Sequence, residues 1–229
     1  MSANRTIVVF GSGPGIGSHV AAQFASQGFT HIILLARNEK RLQEDKGAVV
    51  KANPDAKVDI LTVDLEDIKS IPAVLKQIDN LTTAVDVVFF NAAIIRFAEP
   101  LKAPVEELEQ DFKITNLALY VVAQWAVPKL QQHAKDSPSA KPALIVTNSH
   151  LPWDPIPQLL SLSLTKASQA NMVKSFHVAF SGSGVHFGLI RVEGIVDPQN
   201  KVLNPRTIAE KTWEFYQGGE GLDLHLKEE

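Results

Sequence analysis

The stretch of this 229-residue chain best equipped for chemistry is Gly11-Ser12-Gly13-Pro14-Gly15-Ile16-Gly17, between the apolar run Thr6–Phe10 and a helical pattern. Glycines at such a junction let the backbone turn tightly and approach a pyrophosphate, whose charge is favoured by the N–H groups and dipole of the helix start. The spacing is GxxxGxG, from Gly11, Gly15 and Gly17, because Ile16 stands where GxGxxG would need its last glycine. The turn reads as a dinucleotide site; the alternative is a plain tight strand-to-helix connection. A second position with chemical content is Arg37, in Ala36-Arg37-Asn38 at the end of the next apolar run. An acid there would hold a ribose 2′-hydroxyl, whereas a planar guanidinium suits a 2′-phosphate, so NADP(H) is expected in preference to NAD(H).

A turn of this kind works only at the carboxyl edge of a parallel sheet, and the remaining sequence supplies one. Seven strand candidates alternate with helical patterns: Thr6–Phe10, His31–Ala36, Lys57–Val63, Val85–Phe90, Ala143–Thr147, Val185–Val192 and Leu222–Leu226. Most are continuously apolar, as strands buried on both faces should be. The helices are expected over Ile16–Gln27, Asn38–Ala52, Asp67–Asn80, Pro104–Ala134, Leu160–Phe180 and Pro205–Tyr216. In the first, Ile16, Val20 and Phe24 recur at i, i+4 spacing; in the third, Ile68, Ile71, Leu75 and Ile78 do the same. The expected fold is α/β: a single-domain, Rossmann-type, doubly wound parallel sheet of about seven strands with helices on both faces.

Composition narrows the function classes. With 22 Lys+Arg against 25 Asp+Glu the net charge is −3, and the basic residues are interspersed with acids, so no nucleic-acid partner is expected. The chain has no cysteine, which excludes disulfides, thiolate zinc sites and cysteine nucleophiles, and no metal site is expected. No apolar run approaches the roughly 20 residues of a membrane span. Thr6–Phe10 is too short for a signal-peptide core, so a cytoplasmic location and no membrane partner are the expectation.

Taken together the motifs resemble the short-chain dehydrogenase/reductase family across essentially the whole chain. After the glycine turn comes Asp64-Leu65, which the resemblance places beside the adenine. Asn91-Ala92-Ala93 then matches the family's Asn-Ala-Gly segment, with Ala93 in place of the last glycine. Asn116 falls where the family carries a catalytic-site Asn, and Ser149 is followed 17 residues later by Lys166, the family spacing. The resemblance implies that Ser149 hydrogen-bonds the substrate oxygen and that Lys166 binds the ribose. It also implies that Val196 contacts the nicotinamide carboxamide.

One departure dominates. The family's proton-transferring Tyr should stand four residues before the Lys, and here that position is Leu162, in Ser161-Leu162-Ser163-Leu164-Thr165-Lys166. This pattern resembles a divergent subgroup of the family. Glu193-Gly194 also replaces the usual Pro-Gly after the sixth strand. Proton transfer needs a group in hydrogen-bond reach with a pKa near working pH. His150, next to Ser149 at the ligand-binding edge, is the first candidate; Asp154 and Glu193 are others. Tyr120, one turn beyond Asn116, is either turned to the site or part of the core. The expected function is NADP(H)-dependent oxidation or reduction of an apolar carbonyl, imine or enone, because activated carbons need less acid assistance. A non-redox cyclase, isomerase or eliminase, or a nucleotide-binding regulator, are the alternatives. The expected partners are a small-molecule substrate and a second copy of the chain: the resemblance implies a homodimer or homotetramer through Leu117, Val121, Trp125, Met172 and Phe176.

Overall fold

The structure is a computed structural model that describes residues 5–228. Among these, seven strands form one parallel sheet: β1 Thr6–Phe10, β2 His31–Ala36, β3 Lys57–Thr62, β4 Val87–Phe90, β5 Ala143–Ser149, β6 His186–Val192 and β7 Asp223–Leu226. Their order is β3-β2-β1-β4-β5-β6-β7, so the direction of winding reverses between β1 and β4. In open α/β sheets ligands bind outside the carboxyl ends of the strands at such a reversal. Register places Phe10 beside Leu35 and Phe90, and Ser149 beside Val192, which brings the ends of β1, β4, β5 and β6 to one edge.

Strand residues alternate between two apolar layers. Val8, Phe10, Val88 and Phe90 face one layer with α3 (Ile71–Leu81), α5 (Ala118–Asp136) and α6 (Leu160–Ala179). Ile7, Val9, Val87 and Phe89 face the other, with α1 (Ile16–Ser26), α2 (Glu39–Ala52) and α7 (Pro205–Gly218). Both faces are covered, which is why β1 is buried along its whole length.

Most helix ends fall within one or two residues of the sequence pattern, and two helices depart from it further, for local reasons. α3 begins at Ile71 and not at Asp67, because Pro72 lacks an N–H and clashes with the preceding turn anywhere but in the first turn of a helix. The expected long helix from Pro104 divides into α4 (Val105–Phe112), a π-helical turn at Lys113–Leu117 and α5. π-turns insert one residue into the helical ladder and recur at functional sites. This one holds Asn116.

Candidate cofactor and active site

Gly11 closes β1 in the left-handed region (φ 84°), and its N–H and that of Ser12 both donate to the Leu35 carbonyl at 2.9 and 3.0 Å. A side chain at Gly11 would sit 2.7 Å from the Ala92 nitrogen, so the glycine lets the turn lie directly against the end of β4. Gly17 is equally confined, by the Gly11 carbonyl and Ser12. Around Gly13 and Gly15, by contrast, a Cβ would meet nothing within 4 Å. α1 starts beyond that open space with no side-chain cap and no acidic residue in its first turn, so no side chain of its own neutralises its positive dipole end. A pyrophosphate fits this cradle.

The open space continues into a cavity of about 330 Å³ that brings together Gly11, Ser12, Gly13, Arg37, Leu65, Asn91 and Ala92. Arg37 stands exposed at its rim. The cavity also holds Arg41, from the first turns of α2, whose acidic neighbours in the sequence give no sign of a ligand contact. Arg41 lies 3.5 Å from the buried carboxylate of Asp45, and Asp45 in turn accepts the Ser12 hydroxyl at 2.7 Å. The Ser12 side chain therefore points inward and ties the glycine turn to the arginine. Two guanidiniums and bare backbone lining one cavity are a suitable donor set for a phosphorylated dinucleotide.

Of the remaining expected cofactor contacts, Asn91 acts as a clip: it donates to the Gly11 carbonyl at 3.0 Å and accepts the Thr147 hydroxyl at 2.9 Å. Asp64 is exposed and accepts the Glu66 N–H at 3.0 Å, Ile16 packs against the α1 layer, and Val196 is half-buried beside the same layer.

At the end of β5, Ser149 is half-buried, and its hydroxyl accepts the Leu151 N–H at 3.3 Å. His150 carries a buried Nδ1 with no partner among the described residues, and both side-chain polar atoms of Asn116 are in the same condition. Orphaned buried groups are rare and mark places where water or a ligand completes the bonding. Leu162 packs with Leu151 and Leu159 in a small apolar cluster of its own. Tyr120 faces outward and is 48% exposed. Glu193 is held by His225 at 2.9 Å and by Arg191 at 3.6 Å, and Arg191 in turn stacks on Trp153 with 3.5 Å to the ring centroid.

Lys166 is enclosed. Its amine donates to the Thr147 carbonyl at 2.6 Å and to Gln169 Oε1 at 3.0 Å, and burial pushes its pKa down to about 7. It does not line the cavity. Gln169 and Asn148, which the family motifs do not point to, complete its surroundings. The available signal was a glutamine in the buried stripe of Lys166, Ala170 and Val173 on α6.

A second cavity, of about 250 Å³, opens between the loop after β4, α4 and the start of α6, lined chiefly by apolar side chains such as Leu101, Val105, Leu108 and Leu160. At its inner end Ser161 donates to the buried carboxylate of Asp111 at 2.6 Å, and Arg96 pairs with the same carboxylate at 3.2 Å. Leu101 holds φ 67°, the one side-chain-bearing residue in the left-handed region among the described residues.

Comparison with known proteins agrees with this architecture. The very-long-chain 3-oxoacyl-CoA reductase of Pyricularia oryzae is 28% identical over 204 residues, covering 86% of this chain and 58% of its own. A chloroplastic short-chain dehydrogenase, TIC 32 B, of Brassica napus is 26% identical over 132 residues, 58% of this chain and 40% of its own. The chain thus spans about half the length of these curated relatives. An alcohol dehydrogenase of the archaeon Thermococcus sibiricus, complexed with 5-hydroxy-NADP, superposes with a TM-score of 0.84 at 21% identity, covering 96% of this chain and 94% of that one. The sequence pattern of the short chain dehydrogenases matches residues 5–203, and the chain belongs to that family.

Proposed function

We propose that this protein is an NADP(H)-dependent oxidoreductase acting on an apolar carbonyl, imine or enone, with a proton donor other than the family's tyrosine. The observation that carries the reading is that Arg37 and Arg41 line the same cavity as the bare glycine turn. In this reading Gly13 and Gly15 leave room for the pyrophosphate, and the two guanidiniums hold the 2′-phosphate. When bound, the nicotinamide supplies or accepts a hydride. Ser149 donates a hydrogen bond to the substrate's polar atom. His150 or a water bound at Asn116 moves the proton, since both present buried polar atoms without protein partners. The apolar lining of the second cavity and the Leu151-Leu159-Leu162 cluster favour an apolar substrate over a sugar or an acid. In this reading the chain assembles as a homodimer or homotetramer, which the exposed Leu117, Tyr120, Leu160 and Leu164 on α5, α6 and the turn before them support. Val121, Trp125, Met172 and Phe176 pack against the chain's own core.

The alternative, a non-redox enzyme using the same pocket, is favoured by one observation: Leu162 fills the tyrosine position with a buried apolar side chain. Titration with NADPH and NADH, followed by the fluorescence of Trp125, Trp153 and Trp213, tests the first reading. The expected result is at least about tenfold tighter binding of NADPH, corresponding to one charge-assisted contact. Absence of binding by either nucleotide would overturn it and make the non-redox reading the leading one.

A further inference from the structure

Gln169 lies on α6, one turn beyond Lys166, with no solvent exposure at all. A buried carboxamide is tolerated only when its donors and acceptor are paired. Its oxygen accepts from Lys166 Nζ at 3.0 Å and from Asn148 Nδ2 at 3.2 Å, and its nitrogen donates to the Thr115 carbonyl at 3.2 Å. One side chain thereby joins α6 to the end of β5 and to the π-turn. Asn148 extends the connection: it also donates to the Lys166 carbonyl at 3.1 Å, and its oxygen accepts the Ser149 N–H at 2.8 Å. The second acceptor for the Lys166 amine is the Thr147 carbonyl at 2.6 Å. Both acceptors of the amine are neutral, and Lys166 itself is only 5% exposed.

We propose that Gln169 is a positioning residue that latches the Lys166 amine onto the end of β5, withdrawing it from the nucleotide and using it to brace the corner that presents Ser149. Leu162 is consistent with this arrangement, because a leucine at that position leaves no phenol for the lysine to act on. Cofactor affinity then depends on the glycine turn and the arginines, with no contribution from Lys166 while Gln169 is in place. Replacing Gln169 by Met, of similar length and without an acceptor, leaves a buried amine with one partner, and its charged form gains by swinging out to water and the ribose. Only the affinity part of this inference rests on the NADP(H) reading.

The test is a double-mutant cycle of Gln169→Met and Lys166→Met, read by NMR titration of ¹⁵N-labelled lysine amines and by NADPH titration. In the unaltered protein the Lys166 amine should titrate far below an ordinary lysine, and Gln169→Met should raise that midpoint by at least about one pH unit. Lys166→Met alone should change NADPH affinity by less than about twofold, whereas Gln169→Met should tighten it about fivefold and the double variant should lose that gain. If Gln169 is mere packing, the amine stays buried with one acceptor fewer, and its midpoint stays put or falls; that result overturns the latch. So does a tenfold or larger loss of NADPH affinity in Lys166→Met with Gln169 present, a measurement that needs no Gln169 variant to fold. If no form of the protein binds NADPH, the cofactor reading fails while the amine titration still decides the latch.

Discussion

Lys166 makes a quantitative claim on stability. Its amine titrates near 10.5 in an unfolded chain and is pushed down to about 7 in the native one by burial. The native state therefore binds this proton more weakly than the unfolded state does. Below about pH 7 both states hold it and the folded protein bears the full cost of the enclosed charge, about 5 kcal/mol at 1.36 kcal/mol per pH unit. Between the two midpoints only the unfolded chain holds the proton, so the stability of the fold rises with pH across that window. From about pH 6 to about pH 9.5 the rise from this one group is about 3 kcal/mol. With the side chain 5% exposed, solvent screening takes little from that figure.

Lys166→Met removes the titration. It also leaves the Thr147 carbonyl and Gln169 Oε1 one donor short, at about 1–3 kcal/mol each, but that loss is independent of pH. The informative quantity is accordingly the change with pH of the stability gap between the two proteins. Urea unfolding followed by far-UV circular dichroism at about pH 6 and about pH 9.5 measures it, the other titrating groups cancelling in the comparison. The unaltered protein should gain about 3 kcal/mol on the variant between the two conditions. A gap constant to within about 1 kcal/mol would refute the reasoning, because the amine would then be reaching water in the folded state.

Other expectations follow from the same geometry. Arg37→Ala should weaken NADPH binding about tenfold or more while leaving NADH binding within about twofold, whereas Arg41→Ala, which also unpairs the buried Asp45 carboxylate behind the glycine turn, should weaken both, as nucleotide titration would reveal. Gly17→Ala should destabilise the fold by about 1–3 kcal/mol in thermal unfolding, since its Cβ would press on the Gly11 carbonyl. Gly15→Ala, in open space, should fold normally and lose nucleotide affinity; equal melting losses in the two variants would contradict the distinction. His150→Phe should slow turnover by about 100-fold, and an unchanged rate would leave the proton to water at Asn116.

The sheet was readable because parallel strands buried on both faces must be apolar throughout, and His31–Ala36 and Ala143–Thr147 could hardly be anything else. Boundaries were less legible where a single residue decides them. Pro72 moves the start of α3, and no periodicity announces the π-turn around Asn116, which depends on how α4, α5 and α6 meet. In the site, the glycine turn and Arg37 are local signals and came through. Arg41 did not, because Glu44 and Asp45 beside it on the same helix made it look like part of a solvated charge pattern. The bonding of Lys166 was out of reach for a different reason. Its partners Thr147 and Gln169 belong to different elements, and only tertiary packing decides whether a lysine turns toward a ligand or into the protein.

The leucine at position 162 is best understood together with that buried lysine. Leu162 is 7% exposed and closes against Leu151 and Leu159, so Leu162→Tyr must insert a larger ring and a hydroxyl into an apolar cluster. Overpacking costs about 1–3 kcal/mol, and a buried hydroxyl without a partner about 1–3 kcal/mol more. The lysine that would acidify the new phenol is meanwhile bonded to Thr147 and Gln169. Leu162→Tyr alone should therefore lower the unfolding free energy by about 2–6 kcal/mol and give no faster ketone reduction with NADPH. Combined with Gln169→Met, which frees the amine, the same tyrosine should begin to support it. A single Leu162→Tyr variant that reduced simple ketones at least about tenfold faster than the unaltered protein would mean that the missing phenol was the only obstacle. The bonding around Lys166 would then be incidental to the chemistry. The opposite result would mean that the chain has rebuilt both halves of the tyrosine–lysine pair, the leucine closing one side of the site and the glutamine holding the lysine on the other.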